Sequence, residues 1–536
     1  MSFGNLLQQL IDETTKTSLC HFMPELTICV TIVLMLLMRL VSLDRWIPAY
    51  FTALVGSVSA LGLAATQLRD LLSNDAQPGD FFAGMLMFDA FGAFVRTLLA
   101  FFLVLVVALT VLSGIPDRED GPDFYTLLLG STLGMMLMAQ ANNLLMFFLG
   151  VEMTSVPSYV MVGFLKGRKQ SSEAAFKYVV YGAGAAGVML YGISLLAGLL
   201  GTASLPEIST HLVTVLGTQA GIGDATSRTL VLAILMVFVG LAFKLSVVPF
   251  HFWCPDAFEG ASAEVAGFLS VGSKGAAFAL LVRFVYALVG GDVAVMPEVF
   301  VSLGVAIGTI AAVTITFGNL AAYSQTNIKR MLAYSTIAHA GYMLLAVSAL
   351  MVVLSGGRSI EGFDYKFEAA RCLEGLMFYL VVYLFMNLGA FAVTALIRNY
   401  VFSEKIDDFN GVAWEAPALS VCMLVCLFSL VGLPPLGGFW GKLVIFMSLF
   451  ASGQIHWFMY VLLGIAGLNT VFSLVYYIRV LQAMFIKPRA EGVRPIEAPT
   501  ATSNYALLLA IPVLLLGVFP TGTTELANRV ATIFVK

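Results

Sequence analysis

The sequence predicts an all-α polytopic membrane protein with about fourteen transmembrane helices. Three observations predict it. Hydrophobic residues make up 59% of the 536-residue chain and charged residues only 11%, whereas a soluble protein carries about 25% charged residues to cover its surface. Mean hydropathy is +0.93. The apolar residues come in runs of roughly 20, the length that crosses a bilayer core as a helix, and they lack the alternation of barrel strands.

The runs lie at about 24–42, 47–67, 92–114, 124–141, 143–165, 173–201, 228–250, 262–290, 298–319, 327–354, 374–400, 415–452, 457–485 and 503–520. Ahead of the first, MSFGNLLQQLIDETTKTS is polar and acidic. It has no positive segment before an apolar run, so it does not read as a cleaved signal peptide, and the first span is expected to be retained.

Lysine and arginine in the connections set the expected orientation. One alternating set of loops holds Arg39, Arg45, Arg118, Lys166, Arg168, Lys169, Lys329, Arg330, Arg398, Lys405, Arg479, Lys487, Arg489 and Arg494. The other holds only Arg69, Arg228, Arg358, Lys366 and Arg371. The richer set is expected on the cytoplasmic side of a bacterial inner membrane, which places both termini in the periplasm.

Two spans are interrupted. The seventh reads LAFKLSVVPFHFWCPDAF, with Pro249 and Pro255 just after Lys244. The twelfth is too long for one straight crossing and contains Gly432-Leu433-Pro434-Pro435-Leu436-Gly437-Gly438. Proline removes a backbone donor and clashes with the preceding turn. Inside a bilayer the freed carbonyls must line a cavity or be covered by neighbouring helices. Broken helices at corresponding places in two halves point to an inverted-repeat transporter. The expected organisation is a three-helix segment (1–123), a first repeat of spans four to eight (124–290), a second of spans nine to thirteen (298–485), and a final region with span fourteen (486–536).

An ionisable group at mid-membrane costs about 2.5–3.5 kcal/mol on insertion scales, so each one needs a partner, water or a trivial explanation. Glu152, Lys177, Lys244, Lys274 and Lys442 stand out. For Glu152 the alternative is packing, with hydrogen bonds to Thr154 or Ser155. For the lysines it is snorkelling to an interface, which fits poorly for Lys274 and Lys442, ten or more residues from a span end. Lys244 sits near the break of span seven, where a half-helix end presents free carbonyls. Lys177 lies nearer a span end and close to the basic loop. His339, central in span ten, titrates near neutrality and could relay a proton or be a satisfied core histidine. His251 reads as structural.

Other chemistries are not supported. No basic patch points to nucleic acid. The six cysteines lack metal or iron–sulfur spacing, and Cys422 and Cys426 read as core residues. There is no phosphate loop or nucleophile elbow, so the chain is expected to hold no cofactor or metal. Dispersed Glu and Lys through successive spans read as a proton relay, not a ligand cage.

The segments LGVEMTSVPSYVMVGF, SEAAFKYVVYGA, FKLSVVPFHFWCPDAFEGA, FLSVGSKGAAFALLVRF, NIKRMLAYSTIAHAGYML and GLPPLGGFWGK resemble the antiporter-like membrane subunits of respiratory complex I, NADH-quinone oxidoreductase. The wording is most similar to the subunit N family, over roughly residues 124–485. The resemblance implies fourteen helices with two inverted five-helix repeats, broken at helices seven and twelve. It implies that Glu152 and Lys244 are the family's glutamate–lysine pair, Lys274 the central lysine, Lys442 the terminal lysine and Lys177 the extra lysine of the sixth helix. Lysine at 442 argues against subunit M, and the lack of further spans or a long amphipathic helix against subunit L.

The resemblance also implies a translocase subunit without a redox centre. NADH, flavin, iron–sulfur clusters and quinone would belong to partner subunits, and the membrane neighbours would be subunit M and small subunits such as K and J. A component of a multisubunit cation/proton antiporter, a pump fed by another donor, and a non-pumping scaffold are the competing readings. One departure is Glu264 in GASAEVAGFLS, where the family pattern has an uncharged residue such as Pro or Thr; at the start of span eight it is expected to be solvated.

Overall fold

The computed structural model describes residues 11, 13–216, 224–291, 296–489, 496 and 499–535; the side chains of Arg118 and Arg494 lie outside them. The chain is nearly all helix. In order the main helices are α1 (Met23–Leu40), α2 (Ala49–Leu72), α3 (Ala90–Ser113), α4 (Ile115–Gln140), α5 (Leu144–Val162), α6 (Lys169–Leu200), α7 (Ile208–Leu216) and α8 (Ala225–Leu245). Then come α9 (Trp253–Gly260), α10 (Ala263–Phe268), α11 (Lys274–Val289), α12 (Pro297–Ala322), α13 (Ile328–Gly356) and α14 (Tyr365–Val401). Last are α15 (Pro417–Val431), α16 (Gly437–Ser452), α17 (Phe458–Phe485), α18 (Thr500–Val518) and α19 (Thr521–Val535). An antiparallel hairpin, β1 (Gly79–Phe81) with β2 (Leu86–Phe88), pairs Gly79 with Phe88 and Phe81 with Leu86.

Among the described residues, 12 helical stretches are long and apolar enough to cross a membrane. The two remaining expected spans also fall on helix. The fourth lies on α4, beyond a kink where Asp120 leaves helical geometry just before Pro122. The twelfth is the pair α15 and α16, each too short to cross alone.

Local chemistry sets the ends. Asn143 caps α5 by accepting from the Leu145 N–H at 2.8 Å. Asp224 caps α8 through Thr226 and Ser227, and Asn327 caps α13 through Lys329 and Arg330. Such side-chain acceptors satisfy the free N–H groups of a first turn.

The two breaks share one construction. Helix α8 ends at Ser246 with φ 59°, and α15 ends at Gly432 with φ 90°, left-handed caps that halt a helix. Three residues after each cap stands a proline joined through a cis bond, Pro249 and Pro435, and a second helix follows. A further break was not legible: span eight, expected as one helix over 262–290, carries a π-helical turn at Leu269–Ser273 between α10 and α11. No proline marks it.

The helices form a bundle in depth. The stretches Ala263–Val289 and Ile328–Ser359 are buried throughout their apolar windows and Tyr365–Val401 for 89% of its window, so α10–α11, α13 and α14 are wrapped by the others. A helix apolar on all sides belongs in such a place. Peripheral helices leave one apolar face outward, as α1 does with Val30, Val33 and Leu37.

Contacts also sort the two faces of the bundle. Cys20 meets Gln67, Ser18 meets Phe82, Arg529 meets Leu72, and Phe534 packs on Phe91. The described ends of the chain therefore share the face of the hairpin. The opposite face gathers Arg39 with Asp123, Lys166 with Asp120, Lys329 and Arg398 with Glu404, and Lys487 with Asp407. The exposed Trp46 and Trp414 stand at this basic-rich face, as interfacial aromatics do. The final region adds α19, a short helix that the sequence did not announce; it packs back on α14 and α3.

Close approach at the second break makes a prediction. A Cβ at Gly438 would lie 1.9 Å from the Ser429 carbonyl oxygen, whereas one at Gly464 would meet nothing within 4 Å. Overpacking costs about 1–3 kcal/mol or more. Gly438→Ala is expected to lower the amount of chain assembled in native gels of the membrane fraction, and Gly464→Ala to leave it unchanged.

Candidate functional site

Lys244, Lys274 and Lys442 are 1%, 1% and 3% exposed. Snorkelling is therefore excluded for all three, and each must find acceptors inside the bundle.

Lys244 occupies the last turn of α8. Its ammonium donates to Ser155 Oγ at 3.0 Å, and that hydroxyl donates in turn to the Val151 carbonyl at 2.7 Å. Ser155 stands three residues after Glu152 on α5, so the serine and the carboxylate share a face. Glu152 and Lys244 make no ion pair within 4 Å; the serine hydroxyl is the direct contact, with the half-buried carboxylate beside it. Lys244 makes no hydrogen bond to the carbonyls of its own break. The Phe243 carbonyl accepts instead from Trp253 Nε1 at 3.0 Å.

The freed carbonyls are used at the other break. Lys442, on α16, donates to the Leu430 and Val431 carbonyls of α15 at 3.0 and 2.8 Å. Its Nζ also sits 4.4 Å from the centre of the Tyr342 ring. Helix-end carbonyls and a ring face both favour a cation. Gly441 keeps the approach open, because a Cβ there would lie 2.4 Å from Tyr379 Cδ2.

Lys274 begins α11 directly after the π turn, with its Nζ 3.5 Å from the Thr336 carbonyl. Around it the hydroxyls of Ser270 and Thr336 lie 3.1 Å apart, and those of Ser270 and Tyr383 3.3 Å apart. Asn387 donates to Tyr383 at 3.0 Å. His339 follows on the next turn of α13. Its Nδ1 is 2.6 Å from the Tyr379 hydroxyl and its Nε2 3.2 Å from that of Tyr477. Tyr477 also contacts Ser335. The His339 ring lies 5.4 Å from the Tyr383 ring and 6.0 Å from Tyr342, the residue that carries Lys442. Polar side chains thus run from Lys274 through His339 to Lys442. The buried Cys254 lies within electrostatic reach of Lys274 and beside the buried Ser246.

Lys177 is elsewhere. It pairs with Glu173 and Asp256, each at 2.8 Å, and its side chain is 39% exposed. Arg330 joins the same group through Asp256 and Glu259 at 2.7 Å each. This ion network lies near the basic-rich face, so Lys177 is not brought into the buried row. His251 is buried against Phe252 and Phe317, with ring centroids 4.4 Å apart in both pairs.

Some buried charges escaped sequence reasoning. Glu25 and Arg96 are both wholly buried, with Arg96 Nη1 3.3 Å from both carboxylate oxygens. Gln140 donates to Glu25 at 2.6 Å, and Arg96 donates to Gln67 at 2.9 Å. Arg283 donates to Asp89 at 2.7 Å and to the Ala139 carbonyl at 2.6 Å. The signal was present, a charge inside an apolar run in AFVRTLLAFF, but each lies near a run's end and reads as a flank. Glu264 is also buried, at 1% exposure, so the expectation of a solvated side chain is wrong; Lys329, paired with Glu404, lies within electrostatic reach of it.

Comparison with known proteins identifies the family. The family profile described as NADH:quinone oxidoreductase/Mrp antiporter, TM, matches residues 141–468. NADH-quinone oxidoreductase subunit N of Anaeromyxobacter sp. is 37% identical over 527 residues, covering 96% of each chain. The chain belongs to the subunit N family. A subunit N of Sorangium cellulosum is 38% identical, covering 94% of this chain and 95% of its own. A chain of respiratory complex I from Thermus thermophilus superposes with a TM-score of 0.71 at 30% identity, covering 94% of this chain and 99% of that one. A chain of the Mrp complex from Dietzia sp. shares the fold at a TM-score of 0.78 and 20% identity, over 96% and 97%. The family match begins at residue 141, so the Glu25–Arg96 pair precedes it.

Removing one partner of a buried ion pair costs about 3–5 kcal/mol, while replacing both with apolar groups is often neutral. Arg96→Met is expected to lower the thermal unfolding midpoint of the purified complex. Combining it with Glu25→Leu should restore most of the loss.

Proposed function

We propose that the chain is the proton-translocating membrane subunit of an NADH-quinone oxidoreductase, and that Glu152, Lys244, Lys274, His339 and Lys442 carry the proton. The carrying observation is the buried row from Lys274 to Lys442, in which each ammonium is held by backbone carbonyls or a ring instead of a fixed carboxylate. A lysine locked to a carboxylate keeps its proton. One held by neutral acceptors can surrender it when its surroundings change.

The proton enters from the basic-rich face, taken as cytoplasmic, and loads Lys244, whose charge Glu152 offsets across Ser155. A shift in charge or conformation from the neighbouring subunit weakens that offset and lowers the lysine's proton affinity. One unit of pKa corresponds to about 1.4 kcal/mol, so a modest change in the charge balance across Ser155 redistributes the proton. It then passes to Lys274, through the hydroxyls and His339, and to Lys442, which releases it towards the face of the hairpin.

Lys177 orders the ion network around Asp256 at the entry side. NADH oxidation, the flavin, the iron–sulfur clusters and the quinone belong to partner subunits, with subunits M, K and J as membrane neighbours in a bacterial inner membrane. The likeness to the Mrp complex supports a second reading, a cation/proton antiporter component. Na⁺-dependent exchange without NADH would reveal it, but the identity to subunit N chains favours the first.

In the lipid-reconstituted complex, Lys274→Met and Lys442→Met are expected to lower quinone reduction and proton release together by several-fold. Oxidation of NADH by an artificial acceptor should be unchanged. Undiminished pumping in both variants would overturn the relay.

A further inference from the structure

The departure at Glu264 has a structural setting that the relay described above does not use. The side chain stands at the second position of α10, is 1% exposed, and has no hydrogen-bond partner on either carboxyl oxygen. The neighbouring cations are already committed. Lys329, the ammonium within electrostatic reach of Glu264, has three N–H donors. Two go to the Glu259 carbonyl at 3.0 Å and the Ala261 carbonyl, and the ammonium forms an ion pair with Glu404 Oε1 at 2.9 Å. Arg398 Nε lies on the same Glu404 oxygen at 2.9 Å. Arg330 and Lys177 are held by Asp256, Glu259 and Glu173.

An ionised carboxylate buried without a donor is far more costly than a neutral acid. Glu264 thus stands beside the Lys329–Glu404–Arg398 ion cluster without belonging to it.

Its position connects to the relay. Ser270, six residues on and about 9 Å along a helical path, belongs to the hydroxyl cluster beside Lys274. Helix α14 packs against α10 at Gly267, where a Cβ would lie 3.1 Å from Phe391 Cβ. That helix carries buried Tyr383, Asn387, Thr394 and Arg398, spaced to form one stripe from the centre to the Glu404 corner.

We propose that Glu264 is a proton-loading carboxyl on the basic-rich side of the path, feeding Lys274. A proton adds to the carboxylate to form an O–H bond. That bond then breaks as the proton moves inward along the stripe to form an N–H bond on a neutral Lys274 amine, regenerating the carboxylate.

The inference rests on the relay reading, and one experiment separates them. The reconstituted complex is compared as wild type, Glu264→Gln, Glu264→Asp and Lys274→Met, measuring NADH-driven proton release, quinone reduction and assembly. Glu264→Gln is expected to lower pumping several-fold with normal assembly, and Glu264→Asp to retain most of it. Full pumping in Glu264→Gln with Lys274→Met inactive overturns the role of Glu264 alone; full pumping in both overturns the relay. Should Glu264→Gln fail to assemble, the wild-type complex is treated with dicyclohexylcarbodiimide, which adds to protonated carboxyls in apolar surroundings, and mapped by mass spectrometry. An adduct on Glu264 supports the proposal, and its absence overturns it.

Discussion

Keeping an ammonium group at the centre of an apolar bundle requires acceptors, and a regular helix has none to give, because its carbonyls are bonded along its own axis. The second half of this protein meets that requirement by ending a helix in mid-bundle. The left-handed cap at Gly432 stops α15, leaving the Leu430 and Val431 carbonyls free, and Lys442 from the following helix receives them. The break and the lysine thus explain each other. Without the cation the carbonyls would be unsatisfied, and without the carbonyls the cation would be too costly to bury.

The first half poses the same problem and answers it differently. Its break has the same left-handed cap and the same proline three residues on, yet Lys244 turns to a serine hydroxyl with a carboxylate beside it. That arrangement places a half-buried carboxylate, Glu152, beside the lysine, whereas Lys442 is held by neutral groups only. In the proposed relay this makes Lys244 the end that answers to a neighbouring charge and Lys442 the end that does not.

Much of this was legible in the sequence. Apolar runs located the helices, because bilayer thickness fixes their length. Lys244, Lys274 and Lys442 stood out because a charge far from a run's end has few explanations, and the prolines marked both breaks. What was hidden depends on neighbours distant in the chain. Glu25 meets Arg96, 71 residues away, and no local rule announces that meeting. The π turn before Lys274 carries no proline. The tyrosines around His339 are ordinary apolar-run residues until three helices bring their hydroxyls together. Glu264 was misplaced because depth near a span end is set by what packs over that end: it is buried, whereas Lys177, also near a span end, remains half open as read.

Proton transfer through this protein requires the row from Lys244 to Lys442 to conduct. A high-resolution cryo-EM map of the assembled complex in lipid would test this most directly. Ordered water is expected to bridge Lys244 to Lys274, and to join the hydroxyls around His339 to Lys442, in one continuous hydrogen-bonded line. A dry apolar gap along that line, with water threading another part of the bundle, would contradict it.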